Sequence, residues 1–313
     1  MHRGLVTTII PVYNRAAMLR EAVASVLAQT YRPVEVIIVD DGSTDETAGV
    51  ADELAGDEVR VIHQPNGGPG TAREAGRRAA RGEFIQHLDS DDLLLPHKFA
   101  LQVAGLVARR ECGASYGWTR LRHRDGTADT RPWKHSGEAF ETMFPAMLES
   151  RWWDTPSPLY RAALLERAGP WLPLRVEEDW EYDARVAALG VRLHQVSDWV
   201  CEVRLHDAHL SGGGDAQLAD RAAAHAAIYA SARRAGIAHD APEMQHFARE
   251  LFLLARQCGA AGLARESRML FELARDASGG DRDRLQFRLY RAVAALAGWT
   301  GAGKLSRMAD RLR

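Results

Sequence analysis

Residues 34–46 read VEVIIVDDGSTDE. Val34–Val39 is an apolar, β-branched run without polar alternation, which suits a strand buried on both faces of a parallel sheet. The run passes straight into Asp40, Asp41 and Gly42. Ser43 follows, with Glu46 three residues on, a capping-box pattern that predicts the opening of a helix. Strand, acidic turn and helix thus succeed one another in one short segment.

The alternation extends in both directions. Upstream, Val6–Val12 (VTTIIPV) predicts a strand, and Asn14 is placed to cap a helix carrying Leu19, Val23, Val26 and Leu27 at helical spacing. Downstream, Val59–His63 predicts a third strand, and Asn66–Gly70 (NGGPG) a glycine-rich loop. A helix over about 71–80 follows, with Arg73 in its first turn and Arg77 one turn later. Phe84–Leu88 predicts a fourth strand, Pro96 the start of a helix reaching about Arg109, and Ala114–Trp118 a fifth strand. Strands alternating with helices of this length predict an α/β class with a mainly parallel sheet and helices on both faces.

The fourth strand ends in QHLDSDDLLL, residues 86–95. Asp89, Asp91 and Asp92 crowd three carboxylates around Ser90. Like charges this close repel, so the stretch reads either as a solvated acidic turn or as hard oxygen ligands for a divalent cation. Ligands of open α/β sheets bind outside the carboxyl ends of the strands. Asp40 and Asp41, the NGGPG loop with Arg73, and the acidic triplet all follow strands and converge on that edge, which favours the cation.

From Thr119 the alternation breaks down. Arg124–Gly126 reads as a hairpin turn and Glu138–Leu148 as a helix. Trp152 and Trp153 head an irregular stretch and read either as pocket walls or as buried packing. Glu177, Glu178 and Asp179 open a helix, EEDWEYDARVAALG, where the helix dipole alone would favour acid. Two strands are expected over 191–196 and 200–205, followed by His206 and His209, either a surface pair or candidate ligands. The triple glycine Gly212–Gly214 marks the expected boundary between a domain at 1–211 and an α-helical domain at 215–313. Helices are expected near 216–235, 242–258, 262–276 and 282–297. The last segment is basic, with Arg282, Arg284, Arg288, Arg291, Lys304, Arg307, Arg311 and Arg313 against Asp281, Asp283 and Asp310. That is either a solvated face or a peripheral contact with anionic lipid.

Composition narrows the classes. Lys and Arg number 40 against 42 Asp and Glu, a net charge of -2, which gives no reason to expect nucleic acid as the main partner. Cys112, Cys201 and Cys258 lie far apart without CxxC or metal-ligand spacing, as expected of reduced thiols in a cytoplasmic protein. No secretion signal is expected, because Val6–Val12 already reads as a strand. The weakly polar run near Ala292–Gly303 is too short and glycine-rich to span a bilayer. GWTGAGKL (298–305) nearly matches a phosphate-binding loop, but Leu305 replaces the required hydroxyl. No GxGxxG follows the first strand, which weakens a dinucleotide-dehydrogenase reading.

Together, TIIPVYNR, SVLAQTY, VIIVDDGSTD, NGGPGTAREAG, HLDSDD and EEDW, in this order, resemble the family 2 glycosyltransferases with the GT-A nucleotide-diphospho-sugar fold. The likeness covers roughly Val6–Ser211. The resemblance implies an inverting, metal-dependent hexosyltransferase acting in cell-surface glycan or polysaccharide synthesis. Its donor would be a nucleotide-diphospho-sugar, by default with UDP, and its acceptor a glycan, a lipid-linked or another hydroxyl. Pro11, Tyr13 and Asp41 would hold the base and ribose, with Arg73 nearby. Asp89, with Ser90 and Asp92, would line the donor site. Asp91 would bind Mn2+ or Mg2+, with Asp92 or His206 as its partner ligand, and Asp179 would be the base with Glu178 beside it. Glu74 and His87 depart from the family pattern.

The chemistry agrees with that division of roles. A departing nucleoside diphosphate needs its growing charge neutralised, and an acceptor hydroxyl needs a carboxylate to take its proton. Two further readings are a sugar-nucleotide pyrophosphorylase and a non-catalytic nucleotide- or sugar-binding module. The former needs a glycine-rich basic loop after strand one, and Tyr13-Asn14-Arg15 does not supply it.

Overall fold

A computed structural model of the chain describes residues 1–206, 217–279 and 285–311. His209, the triple glycine with the domain edges at 211 and 215, Asp281, Arg282, Asp283, Arg284 and Arg313 lie outside the described residues. The chain divides into two compact units. One comprises 1–143, 151–182 and 189–206, and the other 144–150, 183–188 and the described residues from 217 on.

The first unit is built on β1 (His2–Val12), α1 (Ala16–Leu27), β2 (Val34–Asp40), α2 (Thr47–Leu54), β3 (Val59–His63), α3 (Pro69–Ala79) and β4 (Gly82–His87). There follow β5 (Leu93–Leu94), α4 (Lys98–Ala108), β6 (Cys112–Arg122), β7 (Leu159–Arg161), α5 (Ala162–Ala168), α6 (Glu178–Ala187), of which residues 178–182 belong to this unit, and β8 (Arg192–Arg204). One eight-stranded sheet runs β3-β2-β1-β4-β7-β6-β8-β5. Neighbours from β3 to β4 are parallel, as are β6 and β8, whereas β7 and β5 are antiparallel to their neighbours.

The unbroken apolar run of β2 is explained by two cores. Val36 and Ile38 pack on one face with Leu19, Val23 and Val26 of α1, while Ile37 and Val39 pack on the other with Ala72 of α3. Helices cover both faces, so neither set of side chains faces water. Close approach of α3 to the sheet depends on Gly76, where an added Cβ would lie 2.3 Å from Ile9 Cγ2.

Several expectations need correction. Asn14 does not cap α1. It sits at φ 52, and its amide accepts from Thr44 N at 2.8 Å and donates to Thr44 Oγ1 at 3.2 Å, tying together the loops after β1 and β2. Ser43 is drawn into the same bridge, accepting from Asn14 N at 3.0 Å. The capping box therefore does not form, and α2 starts later, at Thr47. The helix expected over 138–148 is only a 3-10 turn at Ala146–Leu148, because backbone groups there serve the sheet: Glu138 O accepts from Tyr116 Oη at 2.6 Å, and Glu141 O from Leu193 N at 2.9 Å. The two expected strands near the end of the unit are one strand, β8, whose register slips between Val196 and Trp199 opposite β6. Trp152 and Trp153 are buried, at 1% and 0% exposure, against Tyr116.

The second unit holds α7 (Leu218–Arg234), α8 (Pro242–Ala260), α9 (Ala264–Ala277) and α10 (Leu285–Arg311). Phe247, Leu251 and Phe271 are fully buried within it. Gly298, at φ 72 and ψ 169, breaks α10. Residues 299–305 beyond it are helical, which closes the phosphate-loop reading of GWTGAGKL. No helix among the described residues is long and apolar enough to cross a membrane.

Candidate active site

Asp41 lies one residue beyond β2. Its Oδ1 accepts from Gly67 N at 2.9 Å and Gln64 Nε2 at 2.7 Å, and its Oδ2 from Gly68 N at 2.8 Å. It thereby shapes the NGGPG loop, in which a Cβ on Gly70 would come within 2.2 Å of Leu172 O. Pro11 lies in β1 opposite Val39. Tyr13, just past β1, keeps 44% of its surface exposed.

Arg73 emerges from the first turns of α3 and is buried. Its Nη2 donates to Asp89 Oδ1 at 2.6 Å, its Nη1 pairs with Glu178, and its guanidinium lies 5.0 Å from the centre of the Trp171 ring. Trp171 in turn stacks on Tyr182 at 4.0 Å. Burial would release the Arg73 proton, but Asp89, Glu178 and Asp179 outweigh it and bind that proton more firmly. One cation thus joins the end of β4 to the start of α6.

The acidic triplet forms a tight turn in which Asp92 N donates to Asp89 O at 3.0 Å. Asp91 Oδ2 is paired with Arg15 and faces His206 Nε2 at 2.7 Å. Burial opposes ionisation of Asp91, yet the Arg15 charge and the His206 hydrogen bond prevail and lower its pKa. Asp92 behaves oppositely: burial, then the charges of Asp91 and Asp89, push it well above the usual carboxylate range. Its Oδ1 accepts from Arg204 N at 3.2 Å. Ser90, which precedes them, is buried.

At α6, Glu178 is 8% exposed and Asp179 27%. Burial pushes Glu178 up to about 7 despite Arg73. Asp179 Oδ2 meets Arg151 Nη1 at 2.7 Å. Against the burial penalty, Arg151 and then Arg73 hold it below the usual range. Asp179 is therefore ionised and reachable, while Glu178 is enclosed.

The two departures from the family pattern have structural accounts. Glu74 accepts from Arg77 Nε and Arg78 Nε, both at 2.8 Å, and from Trp171 N at 3.1 Å, anchoring the segment that carries Trp171. His87 is buried among Tyr160, Trp171 and Tyr182. Desolvation and the Arg73 charge keep its ring neutral.

Among the described residues no group of three or more His, Cys, Asp or Glu surrounds a common point. Asp91 and His206 are the side chains placed to donate to a divalent cation, which would take the side of Asp91 Oδ2 that Arg15 now occupies. A carboxylate oxygen and an imidazole nitrogen face one another, and ions that keep several waters and bind substrate phosphate need only one or two protein ligands. The site holds side chains that sequence reasoning did not single out: Arg15, Arg151, Trp171 and Arg204. Arg15 adjoins the PVYN stretch, but nothing local pairs it with Asp91, 76 positions away.

Residues 7–165, just over half of the chain, match the family described as glycosyl transferase family 2. An uncharacterized glycosyltransferase of Nostoc sp. is 34% identical over 177 residues, 54% of this chain and 55% of that one. One from Rickettsia felis is 46% identical over 101 residues, 32% of this chain and 17% of that one. The chain thus spans little more than half of one relative and under a fifth of the other. Among solved structures, residues 1–349 of S. aureus TarS share 18% identity at a TM-score of 0.69, covering 98% of this chain and 92% of that one. The mannosyltransferase PcManGT from Pyrobaculum calidifontis, in complex with GDP-Man and Mn2+, shares 22% at 0.55, covering 98% and 86%.

Proposed function

Because the chain belongs to glycosyl transferase family 2 and carries the GT-A fold, we propose that it transfers a sugar from a nucleotide-diphospho-sugar to an acceptor hydroxyl with inversion. The observation that carries this reading is Arg73, held at once by Asp89 after β4 and by Glu178 at the start of α6. It sets the proposed donor edge and the proposed base against each other. UDP is the proposed nucleotide; TarS has been crystallised with UDP and with UDP-GlcNAc, PcManGT with GDP-Man.

In this reading the exposed ring of Tyr13 stacks on the base, and Pro11 and Asp41 bound its pocket. Asp89, with Ser90 and Asp92 behind it, faces the ribose and phosphates. Asp179, ionised and reachable, accepts the proton of the attacking hydroxyl. Arg151 holds its carboxylate in place, and Glu178 fixes Arg73. Asp91 and His206 would hold Mn2+ or Mg2+, which supplies Lewis-acid neutralisation of the diphosphate. A single base opposite the leaving group gives inversion. We assign this chemistry to residues 1–211 and treat 215–313 as a separate helical domain. The three free, buried cysteines support a reducing, cytoplasmic setting.

A thermal-shift panel of nucleoside diphosphates and nucleotide sugars, with and without Mn2+, tests the donor assignment, since a bound ligand stabilises by mass action. Stabilisation by one diphosphate and its sugar is expected. A flat panel would overturn the reading in favour of a chain that binds no nucleotide.

A further inference from the structure

Helix α10 leaves an apolar stripe uncovered. Leu285, Leu289 and Leu296 fall on one side of the helix, and they are 67%, 57% and 91% exposed. Phe287, Tyr290 and Ala294, on the other side, are buried. The stripe is therefore surplus to the packing of the helix within its own unit. Beyond the break at Gly298 the pattern resumes with exposed Leu305 and Met308.

Charge in the same stretch has one sign. Arg288, Arg291, Lys304 and Arg307 alternate with the leucines along the sequence, Arg288 bordering the stripe and Arg291 lying further round the helix; no carboxylate occurs between residues 285 and 309, and Asp310 beyond them is paired with Arg256. Where α9 meets the break, Arg265, Arg268, Met269, Glu272 and Trp299 line a cavity of about 500 Å³, in which two cations and an apolar wall stand beside one carboxylate.

We infer that this face of α10 docks on an anionic phospholipid surface. An interfacial helix of this kind buries leucines at the acyl boundary while arginine and lysine meet lipid phosphates. A second copy of the chain is a poorer occupant, because a two-fold contact through this face would set cations against cations. The inference stands apart from the transfer chemistry, since none of these residues belongs to the candidate active site.

Co-sedimentation of the full chain with vesicles tests it, using phosphatidylcholine alone and phosphatidylcholine with phosphatidylglycerol. Binding is expected on the anionic vesicles and to weaken with salt, each cation contributing roughly fivefold. The pair Leu289→Gln and Leu296→Gln, at exposed positions that tolerate a polar residue, removes binding while leaving the circular dichroism spectrum and nucleotide stabilisation unchanged. The pair Arg288→Gln and Arg291→Gln weakens binding and flattens its salt dependence. Equal binding to both vesicles, or no effect of the leucine pair, would overturn the inference. So would a dimer in light scattering that the leucine pair dissociates while no vesicle binding occurs.

Discussion

Asp91 and Asp92 are neighbours after β4, and Glu178 and Asp179 are neighbours at the start of α6, yet within each pair the two carboxyls shift in opposite directions. Asp91 and Asp179 are lowered; Asp92 and Glu178 are raised. In both pairs the lowered member is paired with an arginine, Arg15 for Asp91 and Arg151 for Asp179. The pairs differ in the raised member. Asp92 is raised by burial and by its acidic neighbours, whereas Glu178 is raised by burial even though Arg73 touches it. Proximity of a cation therefore does not by itself decide the charge state; enclosure can outweigh it.

The largest expected effect breaks the α6 pair. Asp179→Asn keeps the shape and removes the proton acceptor, so kcat in a coupled nucleotide-release assay should fall by roughly 10²–10⁴ with donor-induced thermal stabilisation retained. Full activity would sink the assignment of the base. Next comes Asp91→Asn on the β4 pair: activity should fall by about 10² or more, and the Mn2+ response of nucleotide binding should vanish. An unchanged Mn2+ titration would remove Asp91 from the metal reading.

Smaller effects sharpen the comparison. Folded Glu178 keeps its proton up to about 7 against an ordinary 4.5. The folded state thus binds more protons than the unfolded state between those values, and stability falls as pH rises across that window. Glu178→Gln should abolish this slope, seen as a Tm that no longer declines from pH 4.5 to 7, with a loss of activity well below that of Asp179→Asn. Lys98 gives the mirror image. It is buried, donating to Ser157 O at 2.8 Å, and burial pushes its pKa from 10.5 down to about 7. The unfolded chain then binds more protons between about 7 and 10.5, and stability rises across that range. Lys98→Met should flatten that rise; parallel Tm profiles of variant and parent would contradict it.

The sequence was most readable where structure is local. β1 to β4 and their helices follow from apolar runs separated by turns, because each element shows its own period within a few residues. Readability fails over 123–176. There Trp152 and Trp153 order the backbone by packing on Tyr116, and the short β7 and the helix α5 carry too few residues for a period to show. The acidic residues of the site were visible as clusters and Arg73 with them, whereas the arginine partners of Asp91 and Asp179 were not. Arg15 and Arg151 are unremarkable in one dimension, and only the fold brings them to Asp91 and Asp179. Sequence separation also hid the misassigned caps, since Asn14 and Ser43 spend their polar groups on each other's loops.

β7 has a consequence for biogenesis. Its three residues fill the seam between β4 and β6, so during N-to-C-terminal synthesis β4 is completed well before its partner at 159–161 emerges. Until then the edge of β4 presents unpaired backbone groups, a template for strand addition by other nascent chains. A truncation ending between β6 and β7 would make that exposure permanent, and aggregation rather than a stable half-domain is its expected fate.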